Sequence, residues 1–125
     1  MASHQTKSFH SYVEDLFGRL GPIRIRKMFG GAGVYAGEEM FALLDSGRIY
    51  IKADDELRAD LEDQGSEPFE WTNPTTGKTI QMSYVSLPET AMDDPDEANS
   101  WGQKALKAAV AARRAKVKSP RRTTF

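Results

Sequence analysis

Phe9, Tyr12, Val13, Leu16, Phe17 and Leu20 recur at steps of three and four, with His10, Ser11, Glu14, Asp15 and Arg19 between them. At 3.6 residues per turn this spacing lines one face with apolar side chains, and it predicts an amphipathic helix over about residues 8–20. Gly21 and Pro22 stop it, the first by accepting a left-handed cap and the second by lacking the N–H to continue.

From Ile23 the period falls to two. Ile23 and Ile25 alternate with Arg24 and Arg26, and the break in phase at Lys27-Met28 marks a bulge or the strand's end. After Gly30-Gly31-Ala32-Gly33 come Val34-Tyr35, a turn at Gly37, the run Met40–Leu44, a turn at Asp45-Ser46-Gly47, and Ile49-Tyr50-Ile51. Spacing this tight has no room for crossover helices, so an antiparallel meander is expected. Asp54 or Asp55 caps a second helix containing Leu57 and Leu61 and ending near Gly65. Phe69-Glu70-Trp71 and Ile80–Val85 then read as a hairpin joined through Asn73–Gly77.

The last helix has Asp94 as N-cap, Pro95 at its first position and Glu97 placed to complete a capping box. Its predicted inner stripe is Trp101, Ala105, Ala108 and Ala112, widened by Leu106 and Val110. Beyond Arg113 the stripe fades, and Pro120 argues against a regular helix to the end, so 117–125 reads as a frayed or disordered tail. The expected fold class is α+β: a mainly antiparallel sheet, made of an N-terminal meander plus a later hairpin, with amphipathic helices packed on it in the order α-β-β-β-β-α-β-β-α. The expected organisation is a flexible N-terminus over 1–7, one domain over 8–113 and a basic, disordered tail over 114–125.

Composition narrows the chemistry. A chain of 125 residues is one ordinary domain. Without cysteine it has no disulfide, thiolate nucleophile or zinc ribbon. No apolar run approaches the ~18 residues of a membrane span, and Met1–Lys7 has no apolar core of a signal peptide, so a cytoplasmic location away from membranes is expected. A net charge of −1 conceals an asymmetry: Arg113, Arg114, Lys116, Lys118, Arg121 and Arg122 give the last thirteen residues +6, while the first 112 carry −7. Such a tail attracts polyanions that the body repels.

The glycine cluster precedes a strand, with no Lys-Ser/Thr and no following helix, so it reads as a turn and a close backbone approach rather than a phosphate loop. Arg24, Arg26 and Lys27, with Arg48, Lys52 and Lys78, form a basic sheet that would stack bases if Tyr35, Tyr50 or Tyr84 were exposed; packing is the commoner fate of strand aromatics. His4 and His10, six apart, lack the spacing of a helical metal pair. The acid clusters at Asp54–Glu56 and Asp93–Glu97 read as helix starts, and Glu38-Glu39 sits in a turn. No metal, cofactor or catalytic residue is therefore expected. The candidate nucleic-acid contacts are Arg113, Arg114, Lys116, Lys118, Arg121 and Arg122 of the tail with Arg24, Arg26 and Lys27, acting non-specifically and with strong salt dependence.

The order Arg26-Lys27-Met28-Phe29-Gly30-Gly31-x-Gly33-Val34-Tyr35, Met40-Phe41-Ala42-Leu43 and Ile49-Tyr50-Ile51-Lys52 resembles the N-terminal domain of the TfoX (Sxy) competence regulators. Gly65-x-x-Pro68-Phe69, Met82-Ser83-Tyr84, Leu87-Pro88-Glu89 and Asp94 with Trp101 follow in the family's order, and the resemblance covers about residues 8–113. It implies a compact α+β domain without enzymatic activity or cofactor, associated with turning on DNA-uptake genes together with the cyclic-AMP receptor protein. Regulators of the family usually carry a second, C-terminal helical domain, a stand-alone first domain is expected here, and no functional residue is carried over.

The expected function is thus a non-enzymatic regulatory module acting through protein partners, the transcription machinery among them, with non-specific DNA contact by the tail. The alternative is a small-ligand-binding domain with a pocket between sheet and last helix near Met28, Met82 and Trp101. Patterning distinguishes neither monomer nor homodimer.

Overall fold

The computed structural model describes the backbone over 2–28 and 31–122, and side chains over 8–28 and 31–115. Its elements are α1 (Ala2–Leu16), β1 (Ile23–Met28), β2 (Gly31–Ala36), β3 (Glu39–Asp45), β4 (Arg48–Lys52), α2 (Asp55–Asp63), β5 (Pro68–Thr72), β6 (Thr79–Ser86) and α3 (Pro95–Arg122), with 3-10 turns at Gly18–Leu20 and Glu89–Asp93. The expected α+β order is the one found. The six strands form one antiparallel sheet in the order β1-β2-β3-β4-β6-β5. The chain leaves β4 through α2, enters the far edge as β5, and returns as β6 alongside β4.

Ala32, Leu44 and Ile49 share one cross-strand row, and Val34, Ala42, Ile51 and Val85 share the next. All seven are buried, in one cluster with Val13, Leu16 and Phe17 of the N-terminal helical segment, Leu57 and Leu61 of α2, and Ala98 and Ala105 of α3. The core therefore lies on one face of the sheet, under the helices. The alternation breaks once: Val34 pairs with Ala42 but Tyr35 with Met40, leaving Phe41 as an extra residue in β3. The bulge turns Phe41 to the helical side, where its ring meets Phe17 edge-on at 5.3 Å. The phase break at Lys27-Met28 is simply the strand's end, because β1 stays in register with β2 from Ile23 to Met28.

Several boundaries move. α1 begins at Ala2 rather than near residue 8 and ends at Leu16, the final Gly18–Leu20 stretch tightening into a 3-10 turn before Gly21 at φ +104°. The inner stripe of α3 is Ala98, Gly102, Ala105 and Ala109, with Ala108 beside it, whereas Ala112 is exposed and Trp101 half-buried. The reason is closeness: a Cβ at Gly102 would stand 2.9 Å from Leu20 and 3.1 Å from Phe17, so this seam admits only small residues. Trp101 packs on the flank instead, its indole N–H donating to Glu97 at 3.1 Å. Glu97 also accepts from the Thr90 hydroxyl, and no bond returns from it to the Asp94 backbone. The predicted box is thus half made: Asp94 alone caps, accepting from the backbone N–H groups of Asp96 and Glu97. Asp54 caps α2 in the same way through the Leu57 N–H. Finally, α3 runs to Arg122, placing Pro120 inside its last turn. The helix thus continues past the residue expected to end it, with one N–H missing from its final turn.

Candidate functional site

The register that puts the core on one face puts a different set of side chains on the other. Arg24, Arg26 and Met28 of β1, Tyr35 of β2, Met40 and Leu43 of β3, and Tyr50 and Lys52 of β4 alternate with the core residues and point away from the helices. Tyr84 of β6, opposite Lys52, and the Trp71–Ile80 pair of the β5–β6 hairpin extend the same side. No helix packs there among the described residues: α3 lies on β3 and β4, α1 on β1, and α2 on β6, against the core face. Tyr35, Tyr50 and Tyr84 all belong to this face: Tyr50 is buried there against Phe69, as expected for a strand aromatic, while Tyr35 and Tyr84 are half-buried.

That face is apolar, aromatic and basic together. Trp71 at 38% and Ile80 at 51% relative exposure are the exposed large hydrophobics of the described chain, and they stand directly opposite each other. Tyr50 keeps only 8% exposure because the Phe69 ring lies 4.9 Å away across it. The strands place Arg24, Arg26, Arg48 and Lys52 on this side against Asp45, although the first 112 residues as a whole are acidic. Two of these cations lie over rings: Arg24 Cζ is 5.4 Å from the Tyr35 centroid and Lys52 Nζ 5.2 Å from that of Tyr84. Lys52 also donates to the Ser83 hydroxyl at 2.6 Å.

Burial, reinforced by Tyr35, pushes the Tyr84 phenol up to about 12. A phenol in an unfolded chain ionises near 10, so this contribution to stability is intact below pH ~10 and is lost as pH rises through about 12. An ultraviolet titration of the folded protein is expected to show a phenolate step near pH 12 that Tyr84→Phe removes; an unchanged titration in that variant would refute the assignment.

Of the residues predicted from sequence, Arg24 and Arg26 reach the open face, while Lys27 alternates to the other side at the end of β1. Arg113 is exposed and ion-paired, its Nε donating to the Glu39 carboxylate at 2.5 and 3.0 Å. Arg114 is exposed; the side chains of Lys116, Lys118, Arg121 and Arg122 lie outside the described residues. Met28, Met82 and Trp101 do not form a pocket. β1 and β6 are separated by three strands, a span of about 19 Å at ~4.8 Å per strand, and Trp101 sits over the opposite face on α3. An open cavity of about 620 Å³ lies instead at the end of the sheet, among Arg48, Ser66, Glu67, Ser86, Glu89 and Thr90. No group of three potential metal ligands occurs among the described residues.

Sequence reasoning missed one residue that shapes the site and one that joins the helices behind it. Gly33 has no side chain beneath Tyr35 and Met40: a Cβ there would lie 2.9 Å from the Met40 sulfur and 3.2 Å from the Tyr35 ring. Its absence lets both side chains lie down along the strand. Asn99, buried in α3, donates to the carbonyls of Leu16 and Pro95 at 2.8 and 2.6 Å, pinning the end of α1 to the start of α3. The signal for Gly33 in the sequence is a glycine two positions before Tyr35, on the same side of the strand.

The chain matches the model of the TfoX N-terminal domain over residues 15–109. It is 32% identical over 104 residues to the DNA transformation protein TfoX1 of Aliivibrio fischeri, an alignment covering 83% of this chain. The chain spans about half of that relative, 47% of its length. A match through all six strands and the first half of α3, together with this identity, places the chain in the TfoX N-terminal domain family.

Proposed function

We propose that the chain is a non-catalytic regulatory module that works by protein contact through the open face of its sheet, in the cytoplasm, with the transcription machinery among its partners. The observation that carries the reading is the Trp71–Ile80 pair: two large apolar side chains, opposite each other and exposed, on a sheet face that no described helix covers. An apolar protein surface is the complement of such a pair, and aromatic anchors of this type dominate contact energies. Family membership and the likeness to a DNA transformation protein support a role in regulating DNA uptake. The exposed Arg114 and the basic residues after it add a non-specific DNA contact. No described helix is long and apolar enough to cross a membrane.

The test is a DNA-uptake promoter fused to a reporter in a competent bacterium deprived of its own regulator of this family. The chain is expected to raise the reporter, and Trp71→Ser with Ile80→Thr to abolish the rise with an unchanged melting temperature. No rise with the unmodified chain would overturn the regulatory reading; full activity in the double variant would overturn the choice of surface.

A further inference from the structure

Arg24 pairs with Tyr35, Tyr35 with Met40, and Lys52 with Tyr84, and the β3–β4 register brings Lys52 next to the Phe41 bulge that follows Met40. One row therefore crosses the open face from β1 to β6 as cation, ring, thioether, cation, ring. Arg26 lies one row away on the same side. The cations are set against the ring faces, and Gly33 lets the Tyr35 ring recline on the strand instead of standing upright. A row of this kind sets aromatic rings and positive charge side by side in a domain that is otherwise acidic, and a base reaches a ring face by displacing the cation that lies over it.

We propose that this row binds single-stranded nucleic acid, with bases stacked along Tyr35 and Tyr84 and phosphates held by Arg24, Arg26 and Lys52. The inference rests on the open face being the working surface and names a second occupant for it, beside the Trp71–Ile80 end. Charge complementarity selects a polyanion, and rings interleaved with cations select one that carries planar groups, since base stacking on aromatics tolerates any sequence while the cations follow the backbone. An acidic peptide would satisfy the arginines but leave the rings without partners. A duplex buries its base faces and would meet the cations alone.

Fluorescence anisotropy of the full chain with a labelled oligothymidine, its duplex counterpart and a labelled polyglutamate peptide tests this at low and at physiological salt. The single strand is expected to bind at least tenfold more tightly than the duplex, and Tyr35→Leu and Tyr84→Leu each to weaken it roughly tenfold. Where a tyrosine variant fails to fold, Arg24→Gln at its exposed edge position is expected to weaken binding and reduce its salt dependence. Equal binding of strand and duplex, unaffected by these changes, would assign all affinity to the basic tail and overturn the proposal. So would tighter binding of polyglutamate, or no binding of the single strand. A chain that raises the reporter yet binds no single strand would sink this inference alone; one that binds it yet leaves the reporter silent would sink the regulatory reading alone.

Discussion

Phe41→Ala is expected to lower the melting temperature by about 12–20 °C. Deleting a fully buried phenylalanine costs about 3–5 kcal/mol, the lost transfer energy plus the cavity left behind, and a domain of this size loses roughly 4 °C per kcal/mol. Phe41 is at 0% exposure, its ring edge-on to Phe17, itself at 0%. The neighbourhood has little means to collapse into the gap. Phe41 is the extra residue of the bulge, so the backbone on either side is tied to Val34 and Tyr35 by the flanking pairs. With total stabilities of ~5–15 kcal/mol for such domains, the variant approaches the limit of folding. Phe41→Leu keeps most of the volume and should lose far less. Thermal unfolding followed by circular dichroism measures both; a fall of only a few degrees for Phe41→Ala would mean that the bulge does not direct this ring into the core.

Gly31→Ala is the second large effect, and it arises from backbone rather than from lost contact. A Cβ at Gly31 would stand 2.2 Å from the Leu44 carbonyl oxygen and 3.4 Å from its carbon. A flexible side chain would swing away; a carbonyl locked in the β2–β3 ladder cannot, since Ala32 pairs with Leu44 at that point. Relief requires the two strands to separate at the end of β2, which breaks ladder bonds and shifts Ala32 and Leu44 in the core. Overpacking usually costs ~1–3 kcal/mol, and a backbone clash belongs at or above the upper end. Gly18→Ala provides the contrast, because a Cβ there meets nothing within 4 Å. It should be neutral or stabilise by up to about 1 kcal/mol through the unfolded chain. Urea midpoints of the two variants would separate them; equal midpoints would contradict the close approach at Gly31.

What could be read from the sequence was whatever is decided locally. The stripe from Phe9 to Leu20, the caps Asp54 and Asp94, and the turn at Ser46-Gly47, both at positive φ, each depend on residues a few positions apart, and each is where the spacing put it. What escaped depends on partners far along the chain. The bulge at Phe41 exists only relative to β2, so the run Met40–Leu44 reads as plain hydrophobic sequence. The inner seam of α3 was displaced because its closeness to Phe17 and Leu20 requires Gly102 and small neighbours, a demand set across more than eighty residues. The same holds for the candidate site. Period two assigns Tyr35, Tyr50 and Tyr84 to one side of their strands, but which side receives the helices is settled by docking of α1, α2 and α3. Arg24 and Arg26 are legible as outward charges, whereas the sequence leaves open whether the rings beside them pack or face outward.

On this proposal the open sheet face, and not the helical side, is the working surface. The most direct measurement compares two sets of variants in the promoter reporter, all first confirmed to melt as the unmodified chain does. One set changes the open face at Arg24→Glu and Trp71→Ser. The other changes exposed or half-exposed charge on the helical side at Arg58→Glu, beside Glu62 on α2, and Lys104→Glu, beside Trp101 on α3. Loss of the reporter signal in the first set with full signal in the second is the predicted result. Full signal from the open-face variants, with loss from those on the helices, would contradict the account.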